Sequence, residues 1–430
     1  MMRIKRTTLI LGLLIIIWSS IFYLTYYYHP VHIYSEIPSK LSQQIVILEQ
    51  GISREFIKNN VMIKDAQKIL EIKKENENYQ HSMNLNEFRD VKIPVLVFAC
   101  NRITVTKCLD SLIQYRPRMD QFPIIVSQDC NHTETKKAIL KYRNEVSLIQ
   151  QPDQSEIQVP PKEKKLKGYF KIARHYGWAL NQIFFNFNYS AVIIVEDDLE
   201  VSPDFFEYFL GLYPILLKDS SLWCISGWND NGKESLINLK RPDLLYRTDF
   251  FPGLGWMLTK NIWLELYQKW PRAYWDDWIR DPLQRKGRSC IRPEISRTRT
   301  FGKIGVSNGM FFEKHLKYIK LNEEFVSFTK QNLTYLLKEN YDVDFVKKVY
   351  QSPVISFEEL KQVKFNTPVR IIYRTKEEYK TITKKLGLMD DFKSGIPRTS
   401  YKGIVTFHYN GIMVHFTPSN NWKGYDPTWS

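Results

Sequence analysis

The sequence predicts an α/β fold, in which a mixed and largely parallel sheet is covered by helices on both faces and a smaller α+β domain follows. Three unbroken runs of apolar and β-branched residues, at 93–99, 123–127 and 191–195, alternate with segments of helical periodicity. Such runs are typical of strands that are buried on both faces of a sheet. Near the end of the chain, runs at 403–409 and 411–416 predict two further strands.

Amphipathic segments separate the predicted strands. One helix is predicted through Cys108, Leu109 and Leu112, a second near 133–142, and a long third near 169–185. Parallel sheets covered by helices bind ligands at the carboxyl ends of their strands, so the residues that follow the strands indicate where the site lies. These residues are 100–102, 128–130 and 196–198.

The N-terminus has the pattern of a membrane anchor. Residues 9–28 contain no charged side chain, and a helix of this length spans about 30 Å. Arg3, Lys5 and Arg6 precede the run and no Lys or Arg follows until Lys40, which predicts a cytoplasmic N-terminus and a lumenal chain. The run is too long for a cleaved signal peptide. The predicted order is a cytoplasmic tail (1–8), a signal anchor (9–28), a lumenal stem (29–90), a large α/β domain (91–330) and a C-terminal α+β domain (331–430).

Composition excludes some classes of partner and suggests a lumenal setting. The 430 residues include 61 Lys and Arg against 46 Asp and Glu, for a formal net charge of +15. No nucleic-acid-binding motif accompanies this charge, whereas a phosphorylated small molecule is compatible with it. Glycosylation sequons begin at Asn131, Asn188 and Asn332, and heptad-like apolar residues between 41 and 69 predict a helical stem. Five cysteines allow two disulfides and one free thiol, and their spacing leaves the pairing open.

Three adjacent carboxylates, Glu196, Asp197 and Asp198, directly follow a predicted buried strand. Such groups repel one another unless a cation neutralises them. Mn²⁺ and Mg²⁺ prefer oxygen ligands and commonly share their coordination shell with substrate phosphates. The triplet therefore predicts a divalent metal site that a diphosphate completes. The alternative interpretation is an acidic turn before a helix near Pro203.

Several segments resemble the N-acetylglucosaminyltransferase I family, in the same order along the chain. The block at 195–206, Val-Glu-Asp-Asp-Leu-Glu-Val-Ser-Pro-Asp-Phe-Phe, is similar to the metal-binding segment of that family. The resemblance extends over roughly 93–430. Its other segments lie at 122–130, 169–175, 246–256, 275–278, 292–297 and 422–427.

This resemblance implies a Rossmann-like, nucleotide-sugar-binding fold of glycosyltransferase A type, with 91–330 as the catalytic domain. It implies an Mn²⁺-dependent, inverting enzyme of the Golgi membrane that uses UDP-GlcNAc as the donor. The acceptor would be the α1,3-arm mannose of Man₅GlcNAc₂ on N-linked glycoproteins, joined in β1,2 linkage to begin hybrid and complex glycans. The resemblance also implies disulfides between Cys100 and Cys130 and between Cys224 and Cys290, with Cys108 free.

Roles for individual residues follow from the same resemblance. Asp198 would bind the metal ion, and Asp129 and His175 would bind uracil by hydrogen bonds. Asn101 stands where relatives have Asp, which does not affect the role of Arg102. The residues that would contact UDP-GlcNAc are Arg102, Asp129, His175, Glu196, Asp197 and Ser307.

The motif at 275–278, Trp-Asp-Asp-Trp, supplies candidates for a catalytic base. Either Asp276 or Asp277 can take the proton of an acceptor hydroxyl, and the residues alone do not separate the two. The resemblance selects Asp276. The tryptophan rings of the motif can stack on a sugar and exclude water.

Two other functions fit parts of the pattern. A UDP-GlcNAc transferase that acts on O-linked mannose of proteins would share the fold, but the extra carbohydrate-binding region of that family has no counterpart in this chain. A catalytically inactive, membrane-tethered lectin would be expected to have lost the acidic triplet or Asp276. Both are present in the sequence.

Overall fold

The computed structural model describes residues 2–28, 41, 43–60, 63, 67, 91–303 and 309–429. Within the chain, two compact units are distinguished, Met1–Asn78 and Tyr79–Ser430. The second unit contains the main sheet and every site residue that the sequence indicates.

The first unit is helical where it is described. Helix α1 spans Met2–Tyr23, a π-helical turn follows at Leu24–Tyr28, and residues 43–60 form helix α2. Over the part of the chain that the structure describes, no helix has both the length and the apolar character that a membrane crossing requires. The predicted anchor at 9–28 is therefore not supported. Residues 43–60 are helical, as the heptad-like pattern predicts, and most of the remaining predicted stem lies outside the described residues.

Strands and helices alternate along the first two thirds of the second unit. The strands there are β1 Val95–Ala99, β2 Ile124–Gln128, β3 Val146–Gln150, β4 Ala191–Glu196, β5 Leu199–Val201, β6 Leu222–Ser226, β7 Leu245–Thr248, β8 Trp256–Thr259, β9 Ser289–Pro293 and β10 Thr298–Thr300. The helices are α3 Val105–Tyr115, α4 Thr133–Leu140, α5 Lys167–Asn181, α6 Phe205–Lys218, α7 Lys260–Leu266, α8 Trp275–Arg280, α9 Pro282–Arg285 and α10 Met310–Lys314.

Eight of these strands form one mixed sheet in the order β3-β2-β1-β4-β8-β6-β9-β7. Strands β3, β2, β1 and β4 are parallel to one another. Strand β8 is antiparallel to both β4 and β6, whereas β6 and β9 are parallel and β7 is antiparallel to β9. The prediction of an α/β fold with a mixed sheet is confirmed.

The central strands are buried on both faces because their alternate side chains enter different cores. Val95 and Val97 of β1 belong to a core that also contains apolar residues of α3 and α6. Leu96 and Phe98 belong to a second core, which includes apolar residues of α5 and α7. This double burial explains why the strand sequences are continuously apolar rather than alternating.

The C-terminal part of the unit carries a three-stranded sheet, in which β15 (Ile412–Pro418) lies between β11 (Val369–Tyr373) and β14 (Val405–Tyr409). The predicted runs at 403–409 and 411–416 form β14 and β15, and a third apolar core covers this sheet. The remaining strands are β11 Val369–Tyr373, β12 Phe392–Lys393, β13 Ile396–Pro397, β14 Val405–Tyr409 and β15 Ile412–Pro418. The helices are α11 Lys338–Gln351, α12 Phe357–Gln362 and α13 Lys376–Leu386.

Two disulfides fasten the main sheet. One joins Cys100 to Cys130, just beyond the ends of β1 and β2, and the other joins Cys224 of β6 to Cys290 of β9. Cys108 is free and buried. The pairing that the family resemblance implied is confirmed.

Candidate active site

The carboxyl ends of β1, β2 and β4 lie next to one another at one edge of the main sheet. In the register of these strands Phe98 is opposite Glu196, and Ala99 is opposite Gln128. The backbone N–H of Asp129 then donates to the carbonyl of Ala99 over 2.9 Å. The three short segments that follow the strands are therefore brought together, as predicted.

Arg102 lies against two carboxylates of the acidic triplet. Its guanidinium forms an ion pair with Asp197, which is buried, and a second with Asp198 at 2.8 Å. Burial raises the pKa of Asp197 to about 6, even though Arg102 acts in the opposite direction. A single guanidinium thus faces two carboxylates, and this end of the sheet keeps an excess of negative charge.

Glu196 is bound from the side by Tyr176 of α5. The Tyr176 hydroxyl donates to Oε1 of Glu196 over 2.9 Å, and the Tyr176 ring is stacked on Phe98 with centroids 3.7 Å apart. Burial, and then the negative charge of Asp198, raise the pKa of Glu196 to about 7. Glu196, the last residue of β4, is therefore oriented by an aromatic side chain of α5.

Asp198 lies beneath a second chain segment that begins at β10. The backbone N–H of Phe301 donates to the Asp198 carbonyl over 2.9 Å. A Cβ added at Gly302 would lie 2.7 Å from the Cβ of Asp198, and closer still to its carboxylate. Glycine at 302 is thus what allows the segment to pass over Asp198. The segment continues toward Ser307, a predicted donor contact that lies outside the described residues.

Asp129 and His175 lie on the side of the site formed by β2. Nε2 of His175 is 2.7 Å from Oγ of Ser127, and the His175 ring is edge-on to Phe98 with centroids 5.0 Å apart. Burial lowers the pKa of His175 to about 4, so the imidazole is neutral at physiological pH. Gln154 donates its side-chain N–H to Oδ1 of Asp129 over 2.9 Å. Both side chains are therefore buried and held in place by hydrogen bonds within the fold.

Asp276 and Asp277 lie in the first turn of α8. Nη1 of Arg280, one turn later, is 3.0 Å from Oδ2 of Asp276 and 3.2 Å from Oδ1 of Asp277. Asp277 also pairs with Lys393, with the Nζ–Oδ1 distance at 2.9 Å. The two carboxylates remain 45% and 47% exposed. Arg280 fixes Asp276 while leaving it open to a bound molecule.

Tyr176 connects α8 to the acidic triplet. Its ring is stacked on Trp275 with centroids 4.4 Å apart, on the side chain that immediately precedes Asp276. Burial raises the pKa of Tyr176 well above its ordinary value, and the charges of Glu196, Asp276 and Asp198 act in the same direction. The carboxylate of α8 and those after β4 therefore act electrostatically on one side chain.

The expectation that the tryptophans of the 275–278 motif stack on a sugar is wrong for Trp275. This side chain is only 7% exposed, and its ring packs against Tyr176, Trp256 and Trp270. Because other aromatic rings enclose it, Trp275 fixes α8 against α5 instead of meeting a ligand.

Three residues of the site were not indicated by the sequence. They are Tyr176, Arg280 and Gln154, which bind Glu196, the α8 carboxylates and Asp129. The position of Arg280, four residues after Asp276 on one helix, is a signal that could have indicated it. Tyr176 and Gln154 act across the fold, and the local sequence has no equivalent signal.

The carboxylate oxygens at this edge of the sheet can hold a hard divalent cation only if a substrate supplies further ligands. Among the residues that the structure describes, no group of three or more His, Cys, Asp or Glu side chains is arranged to hold a metal ion. The combined negative charge of Asp197 and Asp198 nevertheless exceeds the single positive charge of Arg102, which pairs with both. An oxygen of Asp198 together with a diphosphate is the ligand set that Mn²⁺ or Mg²⁺ commonly accepts.

A family model described as the GNT-I family matches residues 30–429 of this chain. The alpha-1,3-mannosyl-glycoprotein 2-beta-N-acetylglucosaminyltransferase of Arabidopsis thaliana is 41% identical over 317 residues. That alignment covers 73% of this chain and 70% of the plant protein.

Two solved structures are similar to this chain at low sequence identity. TarS 1–349 of S. aureus in complex with UDP-GlcNAc is 13% identical, with a TM-score of 0.31, and covers 64% of this chain and 77% of that one. The mannosyltransferase PcManGT of Pyrobaculum calidifontis, in complex with GDP-Man and Mn²⁺, is 12% identical with a TM-score of 0.28 and covers 46% and 56%. Similarity at this level says nothing about the activity of the present chain.

Proposed function

The chain belongs to the GNT-I family, and we propose that it transfers GlcNAc from UDP-GlcNAc to the α1,3-arm mannose of Man₅GlcNAc₂ on N-linked glycoproteins. The linkage formed is β1,2, with inversion at the anomeric carbon, and the product begins hybrid and complex glycans. The observation that carries this proposal is the convergence on Tyr176. The Tyr176 ring stacks on Trp275, the residue directly before Asp276, and the Tyr176 hydroxyl donates to Glu196 at the end of β4.

The donor binds at the carboxyl ends of β1, β2 and β4. Asp129 and neutral His175 receive the uracil, because a carboxylate and an imidazole can accept and donate hydrogen bonds along the edge of the base. Arg102, Glu196 and Asp197 contact the nucleotide and the sugar. Ser307 contacts a phosphate from the segment that follows Gly302.

Asp198 is the protein ligand of a divalent cation. A divalent cation held by Asp198 would supply Lewis-acid stabilisation of the negative charge that develops on departing UDP. A cation there would leave Arg102 less negative charge to neutralise, because Asp198 is one of its two carboxylate partners. This freedom suits a role for Arg102 at the nucleotide.

Asp276 acts as the catalytic base. It takes the proton of the mannose 2-hydroxyl as the oxygen forms a bond to C1 of GlcNAc and the bond from C1 to the UDP oxygen breaks. The incoming oxygen and the leaving group lie on opposite faces of the sugar, as inversion requires. Arg280 keeps the Asp276 carboxylate oriented at 3.0 Å, and the aromatic packing of Trp275 holds α8 in place.

The remaining proposals concern organisation and location. We infer a catalytic domain at 91–330, a C-terminal α+β domain at 331–430 and residence in the Golgi membrane as a single-pass, type II protein. The anchor rests on the uncharged run at 9–28 and on the basic residues before it. Protease protection of a C-terminal tag in sealed Golgi vesicles, lost on adding detergent, tests this topology.

The test of the activity uses the purified full-length chain with UDP-GlcNAc and a Man₅GlcNAc₂ glycopeptide, with Mn²⁺ or with EDTA. We expect UDP release together with one added GlcNAc per glycan, and neither in EDTA. Transfer to an O-mannosyl peptide instead would replace the acceptor assignment. Binding of UDP-GlcNAc without transfer to either acceptor would favour a lectin-like protein.

A further inference from the structure

Beside α8, two tyrosine rings are partly exposed and packed on each other. Tyr169, in the first turn of α5, and Tyr274, directly before α8, have ring centroids 5.1 Å apart at an interplanar angle of 33°. Tyr274 also contacts the buried Phe170 at 6.2 Å. The pair therefore forms a small aromatic surface that rests on the core and faces solvent.

This surface lies next to the carboxylates of α8. The carbonyl of Tyr274 accepts the backbone N–H of Trp278 over 2.9 Å, so Tyr274 belongs to the turn that carries Asp276 and Asp277. Burial raises the pKa of Tyr169, and the charges of Asp276 and Asp277 add to this effect. The two rings therefore belong to the part of the fold that begins α8, which carries Asp276 in its first turn.

The backbone at Tyr274 has a left-handed conformation, with φ at 52° and ψ at 44°. A bulky side chain rarely adopts this conformation, and its cost is of order 1–3 kcal/mol. Such strain persists where the surrounding structure fixes it, and it is concentrated at functional sites. Here the strained residue is the N-cap of α8 and precedes Asp276 by two positions.

We propose that the Tyr169–Tyr274 pair is the binding surface for the acceptor hexose, on which the mannose ring packs while its 2-hydroxyl meets Asp276. This proposal rests on the proposed function. A pyranose presents C–H groups on one face and hydroxyls around its rim, which matches the apolar ring and polar tip of tyrosine. Trp275 is enclosed by other rings, so it cannot provide such a face.

The test compares acceptor and donor kinetics of the full-length chain. Tyr169→Ala and Tyr274→Asn remove one ring each, and Asn is chosen at 274 because it tolerates the left-handed conformation. We expect each variant to raise the KM for the Man₅GlcNAc₂ glycopeptide about 10-fold, the loss expected for one aromatic contact. The KM for UDP-GlcNAc and the affinity for UDP should stay unchanged. Tyr169→Phe and Tyr274→Phe keep the rings and should retain most of the acceptor affinity.

Phe185→Ala is the matched control. Phe185 is 42% exposed and packs edge-on against Tyr267, with ring centroids 5.1 Å apart. The variant therefore removes an exposed ring that is not beside the α8 carboxylates. It should leave both KM values unchanged. Thermal unfolding of all variants identifies any loss of folded protein, and if one of the two ring-removing variants is unstable, the other still tests the aromatic surface.

The outcomes separate this proposal from the one it rests on. A wild-type chain that elongates no mannose acceptor would defeat both. Wild-type transfer with an unchanged acceptor KM in the ring-removing variants would overturn only the aromatic surface. A rise in the donor KM without a rise in the acceptor KM would also overturn it, because the rings would then belong to the donor site.

Discussion

Two regions of this molecule present paired aspartates to an arginine, but they do so in opposite environments. After β4, Asp197 is buried and shares Arg102 with Asp198. At the start of α8, Asp276 and Asp277 share Arg280, yet nearly half of each side chain is exposed. Both pairs have a similar local composition, and the fold gives them different surroundings.

The difference in burial separates two chemical tasks. Negative charge that is withdrawn from water favours either protonation or a nearby cation, which explains the raised pKa of Asp197. A carboxylate that is fixed by one arginine but reached by solvent can meet an acceptor hydroxyl and take its proton. The strand end is therefore suited to holding cations and phosphates, and the helix start is suited to proton transfer.

Replacing Asp276 by Asn is the most direct test of this difference between the two aspartate pairs. The variant keeps the shape of the side chain but cannot take a proton, so we expect kcat to fall about 10³-fold. UDP-GlcNAc affinity, measured by calorimetry, should not change. Asp277→Asn, one residue away and paired with Lys393, should reduce kcat less than about 10-fold. Equal losses in the two variants would remove the distinction between base and neighbour.

Arg102 and Asp198 test the excess of negative charge after β4. In EDTA, Arg102→Gln leaves Asp197 buried without its counter-charge, and we expect the free energy of unfolding to fall by about 1–3 kcal/mol. Asp198→Asn removes a repelling charge, so its stability should match or exceed that of the wild type. Guanidinium denaturation measures both. The same Asp198→Asn chain should no longer bind UDP more tightly when Mn²⁺ is added, whereas a retained Mn²⁺ effect would contradict its role as the metal ligand.

The burial of His175, at the proposed donor-binding end of the sheet, should make the stability of the protein depend on pH. The folded-state pKa of His175, about 4, lies below the ordinary value of 6.5, with Asp129 opposing this shift and Arg174 adding to it. As pH falls from about 6.5 to 4, the unfolded chain binds a proton that the folded chain does not, and stability is lost by up to about 3 kcal/mol. His175→Gln should flatten this part of the stability curve measured by denaturation at pH 7.0, 5.5 and 4.5. A variant curve parallel to that of the wild type would show that other groups cause the slope.

Replacing Lys393 tests how much the α8 carboxylates depend on a second cationic partner besides Arg280. The ion pair of Lys393 with Asp277 is partly exposed on both sides, so Lys393→Ala should cost less than about 1 kcal/mol of stability. Since Arg280 remains beside Asp276, kcat should change less than about 3-fold. A loss in kcat as large as that in Asp276→Asn would show that Lys393 takes part directly in the reaction.

The strands that the sequence predicted are those with a strong local pattern. Strands β1, β2 and β4 are continuous apolar runs, because both of their faces are buried. Strands β8 and β9 were not predicted, although they too are buried. They are four and five residues long and contain Trp, Arg or Pro, so only their pairing with distant strands identifies them as part of the sheet.

The site residues divide in the same way, into those with a local sequence signal and those without one. Asp197 and Asp198 can be identified from the sequence because three adjacent acidic residues after an apolar run are unusual. Their place at the carboxyl end of a strand, where such sheets bind ligands, follows from the predicted topology. The pairing of Arg102 with both of them, and the enclosure of Trp275 by other rings, depend on contacts between distant segments. No local pattern encodes such contacts.

Gly302 carries no functional group, yet its place above Asp198 leaves no room for a side chain at this position. The space that a methyl group would need at 302 is filled by the aspartate side chain. Alanine there would push aside the carboxylate that we assign to the metal. In any survey of tolerated substitutions, position 302 should therefore accept glycine alone, because an added Cβ would also meet the Cβ at position 198 that every residue except glycine carries.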